Sequence, residues 1–115
     1  MSEAFDKSCR LLSSADFRQV FSKGTRQHSK FFLVIYFVSK ADKARLGIAV
    51  SRKVSKKAVV RNRIKRQIRE SFRLNQELLI GLDCVVVAKN SAAQSPKLSL
   101  RSTLDTHWQK ISKNA

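Results

Sequence analysis

A chain of 115 residues with 24 Lys+Arg against 8 Asp+Glu carries a formal net charge of +16, while 43% of its residues are hydrophobic. That hydrophobic share excludes a disordered basic tail, and the length fits a single domain, residues 1–115, around one modest core. A compact body with this much like charge repels itself, which points to a polyanionic partner, nucleic acid ahead of an anionic membrane surface.

The chain opens on MSEAFDKSCR, which holds no apolar segment of signal-peptide type, so a cytoplasmic location is expected. The first predicted helix spans 14–23, with Ser13 or Ser14 as N-cap, Phe17, Val20 and Phe21 at i, i+3, i+4, and Gly24 placed to end it. TRQHSK (25–30) is polar and reads as a loop. FFLVIYFV (31–38) is strongly β-prone and apolar on both alternating faces, which predicts a strand buried at least partly on both sides. It is the longest apolar run, far short of the ~20 residues a spanning helix needs, so no membrane insertion is expected.

SKADKA reads as a turn, and LGIAV (46–50) as a second strand returning beside the first in a hairpin. SRKVSKK then leads into a long helix. No Gly or Pro interrupts the chain from Ser51 to Ile80, and Gly81 is a natural stop. DCVVVA (83–88) is the third predicted strand. Ser95 and Pro96 suit the N-cap and first position of a final helix, whose apolar stripe is Leu100, Leu104, Trp108 and Ile111. The order is α-β-β-α-β-α, an α+β two-layer sandwich of helices on a small sheet.

The long helix carries the charge. At ~100° per residue, Val60, Ile64, Ile68 and Phe72 fall within an arc of roughly 120°, the core face. With Ile64 at zero, Arg61 lies near ~60°, Lys65 near ~100° and Arg69 near ~140°. Asn62, Arg73 and Arg66 continue that arc from ~160° to ~200°, while Glu70 falls on the opposite flank beside Arg63. Solvated charged helices mix signs so that i, i+4 pairs form. Here ten basic side chains between Arg52 and Arg73 face Glu70 alone, and guanidinium forks suit phosphate and base stacking.

AVVRNRIKRQIRES (58–71) resembles the signature of the bacterial ribonuclease P protein family, a basic helix opening with Arg-Asn-Arg. ADFRQVFSKG resembles the family's first helix, RLGIAVSRKV its second strand and exit, and DCVVVAK its third strand, so the likeness spans nearly the whole chain. The chain departs from the family in carrying Ser55-Lys56-Lys57 where Gly or Asn often precedes the helix. The resemblance implies a left-handed βαβ crossover of the kind found in a ribosomal protein domain, against the general preference for right-handed ones. It implies an accessory protein subunit whose catalytic RNA removes the 5′ leader of precursor tRNA, with one protein per RNA and no catalytic residue on the protein. Mg²⁺ would be held through the RNA and none by the protein alone.

On that resemblance the catalytic-RNA contacts are Arg52, Lys53, Arg61, Asn62, Arg63, Lys65, Arg66 and Arg69, and the leader contacts are Phe17, Phe21, Tyr36 and Lys65. By packing alone Phe17 and Phe21 read as core residues. Aromatic faces, however, stack on unpaired bases without demanding sequence. Ile35 takes the place of Tyr36 if the strand register shifts by one. His28 and His107 read as isolated surface histidines. Cys9 and Cys84 form no metal-ligand spacing and read as reduced thiols, Cys84 as a small core residue. No GxSxG, phosphate loop or HExxH occurs, and the few acids leave little for a two-metal site. The competing readings are a ribosomal or RNA-chaperone protein, which shares the charge and fold class, and an autonomous nuclease.

Overall fold

A computed structural model describes residues 13–39 and 42–114. The predictions for the N-terminal decapeptide and Cys9 lie outside them. Helix α1 (Ser14–Lys23) precedes strands β1 (Thr25–His28), β2 (Phe32–Val38) and β3 (Arg45–Ala49). Helix α2 (Ala58–Asn75) leads through a 3₁₀ turn (Gln76–Leu79) to β4 (Leu82–Ala88), and a second 3₁₀ turn (Asn90–Gln94) precedes α3 (Lys97–Asn114). Together they make an α+β domain of three helices on one four-stranded sheet of order β1-β2-β4-β3.

Two expectations about the sheet are corrected. Residues 25–28 are not loop but a polar edge strand, antiparallel to β2 with Thr25 opposite Tyr36 and His28 opposite Leu33. β2 and β3 do not form a hairpin, because β4 enters between them, antiparallel to β2 and parallel to β3. Val34, Val86 and Ile48 thus lie in one cross-strand row. A buried central strand offers two partners to an apolar run, and CVVVA is apolar at every position.

The alternation of β2 divides the interior in two. Phe32, Val34 and Tyr36 face α2 and α3, joining Leu46, Ile64, Ile68, Phe72, Cys84, Val86, Leu100, Leu104, Trp108 and Ile111 in the main core. Ile35 faces the other way and packs with Val85 under Val20 of α1. The Trp108 ring meets Phe72 edge-on, with centroids 5.5 Å apart, a geometry worth about 0.5–1.5 kcal/mol beyond burial. Its indole N–H donates to Ser71 Oγ at 2.8 Å, and that hydroxyl donates to Asp105 at 2.6 Å, so the polar groups buried between α2 and α3 are satisfied. Cys84 is buried and free, and burial pushes its thiol far above the ordinary value.

Helix ends follow local chemistry. Ser13 caps α1 in a reciprocal box with Asp16, and Gly24 ends it. Gly24 is needed for space rather than for torsion: a Cβ there would lie 2.7 Å from Ile35 Cγ2 and 2.9 Å from the Tyr36 carbonyl oxygen. Gly81 does adopt the left-handed region, at φ 87°, and turns the chain into β4. Ser95 does not cap α3 as expected. Its hydroxyl donates to the Ser91 carbonyl at 2.7 Å, and the Pro96 carbonyl accepts the first helical bond from Leu100 N–H.

His107 is not a surface residue; it is 3% exposed. Its Nδ1 meets the Gln27 side-chain oxygen and its Nε2 lies 2.7 Å from Ser29 Oγ, joining α3 to the β1–β2 turn. Burial first, then the charges of Lys110 and Lys89, push its pKa from 6.5 down to about 4. The unfolded chain therefore binds the extra proton between these values. Stability from this group is complete above pH 6.5 and falls towards pH 4, by roughly 3 kcal/mol over the window. Urea melts at pH 7 and pH 4.5 should show that loss in the native protein and a flatter profile in His107→Gln. Equal slopes would show that His107 titrates normally.

Candidate nucleic-acid interface

The cationic flank of α2 is built by what lies beneath it. Ile64, Ile68 and Phe72 are fixed in the core, with Gln67 and Ser71 buried beside them, and Gln67 accepts from Arg101 of α3 at 3.1 Å. The opposite side of the helix is thereby turned to solvent. Arg61 and Lys65 are half-buried at its border, and Asn62, Arg66 and Arg69 are exposed. Arg73, which the projection also places here, is paired with Glu70. That ion pair holds the Glu70 carboxyl below its ordinary range.

Arg63 leaves from the other flank, where a guanidinium N–H donates to the Ala93 carbonyl at 3.0 Å. It braces the turn after β4 and is not brought together with the rest. Arg52 and Lys53 are exposed on the turn before the helix.

The start of α2 reinforces the charge. Lys57 occupies the N-cap with no side-chain capping bond, and the first turn holds no acid. Ser55 Oγ accepts the Lys57 N–H at 3.2 Å, while Arg61 donates to the Ser55 carbonyl at 2.9 Å and fixes the approach of the chain. The positive end of the helix dipole thus sits uncompensated among cations, an arrangement suited to an anion.

A second surface lies on the sheet face that α1 covers only in part. Three cross-strand rows stand there: Arg26, Ile35, Val85 and Gly47 in the middle, His28, Leu33, Val87 and Ala49 on one side, and Phe37, Asp83 and Arg45 on the other. α1 sits on the middle row, with Val20 over Ile35 and Val85. Phe17 covers Gly47, where a Cβ would come within 2.5 Å of the Phe17 ring tip. Phe21 is 37% exposed and stacks on Phe17 with ring centroids 6.4 Å apart and planes 20° from parallel. The half-buried row of Leu33, Val87 and Ala49 continues this apolar surface past the helix.

The third row anchors α1. Asp83 is 1% exposed and accepts both Arg45 Nε at 2.8 Å and Nη2 at 2.7 Å. Arg45 also reaches Asp16 at 3.4 Å. The hydroxyl and backbone N–H of Ser13 hold the Asp16 carboxyl below its ordinary value, so it stays charged towards Arg45.

Tyr36 is corrected by the register. It is buried in the main core, on the face opposite Phe17, and Ile35 is the residue turned towards α1. Leu33, Ala49 and Val87 had no place in the sequence reading, although alternation about Ile35 and Val85 would have put them on this face.

Among the described residues no three His, Cys, Asp or Glu side chains gather as a metal site, and no helix is long and apolar enough to cross a membrane.

Comparison with known proteins agrees with this architecture. The Ribonuclease P family model matches residues 5–112. The ribonuclease P protein component of Nitrosococcus oceani is 42% identical over 104 residues, covering 90% of this chain and 87% of the relative. That of Vibrio campbellii is 41% identical over 110 residues, covering 96% and 93%. The structure of the Staphylococcus aureus RNase P protein superposes with a TM-score of 0.83 at 36% identity, covering 93% of this chain and 97% of that one. The Thermotoga maritima RNase P protein gives 0.78 at 31% identity, covering 88% and 96%. With a family match over most of its length, and relatives and folds that agree, the chain belongs to the ribonuclease P protein family, the protein component of a tRNA-processing ribonucleoprotein.

Proposed function

We propose that this chain binds the catalytic RNA of ribonuclease P and the 5′ leader of precursor tRNA, and that the RNA carries the Mg²⁺-dependent cleavage. The observation that carries this reading is the separation of two unlike surfaces on one small domain. One is cationic and hydrogen-bonding, on α2; the other is aromatic and apolar, between α1 and the sheet.

Structured RNA offers phosphates at fixed spacing, which suits the Arg61, Asn62, Lys65, Arg66 and Arg69 flank with Arg52 and Lys53 beside it. An unpaired leader offers base faces, which suits Phe17 and Phe21. Lys65, at the border of the flank, would serve the leader's phosphates. Arg63, braced against the Ala93 carbonyl, keeps four of its five guanidinium N–H groups for RNA.

The division of labour is tested by assaying the protein alone, the RNA alone and the reconstituted complex on precursor tRNA with Mg²⁺. The protein alone should give no cleavage, and the complex should cleave faster than the RNA at low Mg²⁺. Metal-dependent cleavage by RNA-free protein would place the chemistry on the chain and overturn the reading.

A further inference from the structure

Two open depressions, of about 170 and 460 Å³, adjoin between the β1–β2 turn and α3 and share Ser102 and Thr103. They are on the β1 side of the sheet, at the edge opposite β3, and no residue of α2 lines either one. Among the described residues no carboxylate lines either one. Lys30 stands at one end and Lys110 at the other, with Ser102, Thr103 and Thr106 between them and His28 on the opposite wall.

The walls are fixed. The Ser29 N–H donates to the Phe32 carbonyl to close the turn, Lys89 Nζ donates to the Ser29 carbonyl at 2.7 Å, and Ser91 Oγ donates to the Lys30 carbonyl at 2.6 Å. The Lys30 ammonium sits 5.4 Å from the Phe31 ring centroid, which holds it near the groove. The His107 ring bridges the Gln27 side-chain oxygen at Nδ1 and the Ser29 hydroxyl at Nε2. Both ring nitrogens are therefore used in building the wall, and the groups left to face the groove are the lysines and the helix hydroxyls.

We propose that this groove is a third RNA-binding surface, which takes a ribose–phosphate segment with Lys30 and Lys110 on phosphates and the α3 hydroxyls on riboses. The Thr106 hydroxyl already donates its proton to the Ser102 carbonyl at 3.0 Å, so towards the groove it presents lone pairs. A ribose 2′-OH is the donor that matches them, and deoxyribose has none. The inference rests on the RNA-binding reading above and adds a surface that neither the α2 flank nor the α1 face includes.

The test uses Lys30→Ala/Lys110→Ala, two exposed positions whose loss leaves the fold intact, and Thr106→Val, which keeps shape and removes the acceptor. Binding is measured across salt for the catalytic RNA alone, and for mature tRNA by the reconstituted complex. The lysine pair should lower the log–log salt slope by roughly 0.7 to 0.9 per lost phosphate contact. Thr106→Val should weaken binding roughly threefold to tenfold with the slope unchanged. A change with the catalytic RNA assigns the segment to that RNA, and a change only with tRNA assigns it to the substrate. Unaltered binding to both, while a variant of the α2 flank is impaired, would show the groove to be merely solvated and overturn the proposal. If the flank variant is unaltered as well, the RNA-binding reading itself falls.

Discussion

Replacing Arg61, Lys65 and Arg66 together with alanine should lower the log–log salt slope for catalytic-RNA binding by roughly 2 to 3, at about 0.7 to 0.9 per phosphate contact. At about 0.15 M salt this amounts to a loss on the order of 100-fold, since each contact contributes roughly a factor of 5 through counterion release. Surface ion pairs of the ordinary kind would contribute almost nothing on this scale. Arg61 also donates to the Ser55 carbonyl, so a melting curve must accompany the titration. Asn62→Ala is the contrasting variant, because an exposed neutral side chain should lose affinity at constant slope. A triple variant that keeps its slope would show that the flank is solvated and that RNA docks elsewhere.

The other large effect is expected on the sheet face. Phe21→Leu should reduce the preference of the complex for precursor over mature tRNA by about 5- to 150-fold, the equivalent of 1 to 3 kcal/mol for one lost base stack. Leucine keeps most of the volume, so the change removes the π-face rather than the packing.

Gly47→Ala reaches the same surface from below. Its Cβ would fall 2.5 Å from the Phe17 Cζ and 3.0 Å from both Cε atoms, so the ring must move. The backbone there is not in the left-handed region, so the effect is steric displacement of Phe17 and not torsional strain. Both variants should bind the catalytic RNA normally. Equal loss on precursor and mature tRNA, or a lowered Tm alone, would return Phe17 and Phe21 to a purely structural role.

What the sequence made legible follows from how local each signal is. The cap at Ser13 or Ser14, the stop at Gly24 and the core stripe of α2 each rest on successive residues no more than four positions apart. The cationic flank was equally legible, since one helical period projects it. TRQH was hidden because a four-residue edge strand with a solvated face needs no apolar pattern. The placement of β4 between β2 and β3 was hidden for a different reason: pairing over more than 30 residues leaves no trace in either segment.

His107 was within reach, since 100, 104, 107 and 111 share one helical face, yet its polar side chain argued for solvent. Only Gln27 and Ser29, some 80 positions away, make its burial tolerable. Asp83 is the same case with Arg45. Tyr36 turned on a register that an apolar run on both faces leaves undetermined.

The insertion of β4 also sets the order in which the molecule can come into being. As the chain emerges from the ribosome, residues 25–49 provide β1, β2 and β3, but β2 and β3 have no hydrogen bonds to each other to make. β2 waits with one open edge, and β3 with no strand partner, until residues 82–88 arrive, several seconds later at roughly 5 to 20 residues per second. α2 is complete before the sheet it covers, so its apolar stripe and its cations are exposed together in the nascent chain. Strongly basic segments beside those open edges repel a second nascent copy, which guards this interval against strand exchange between neighbours.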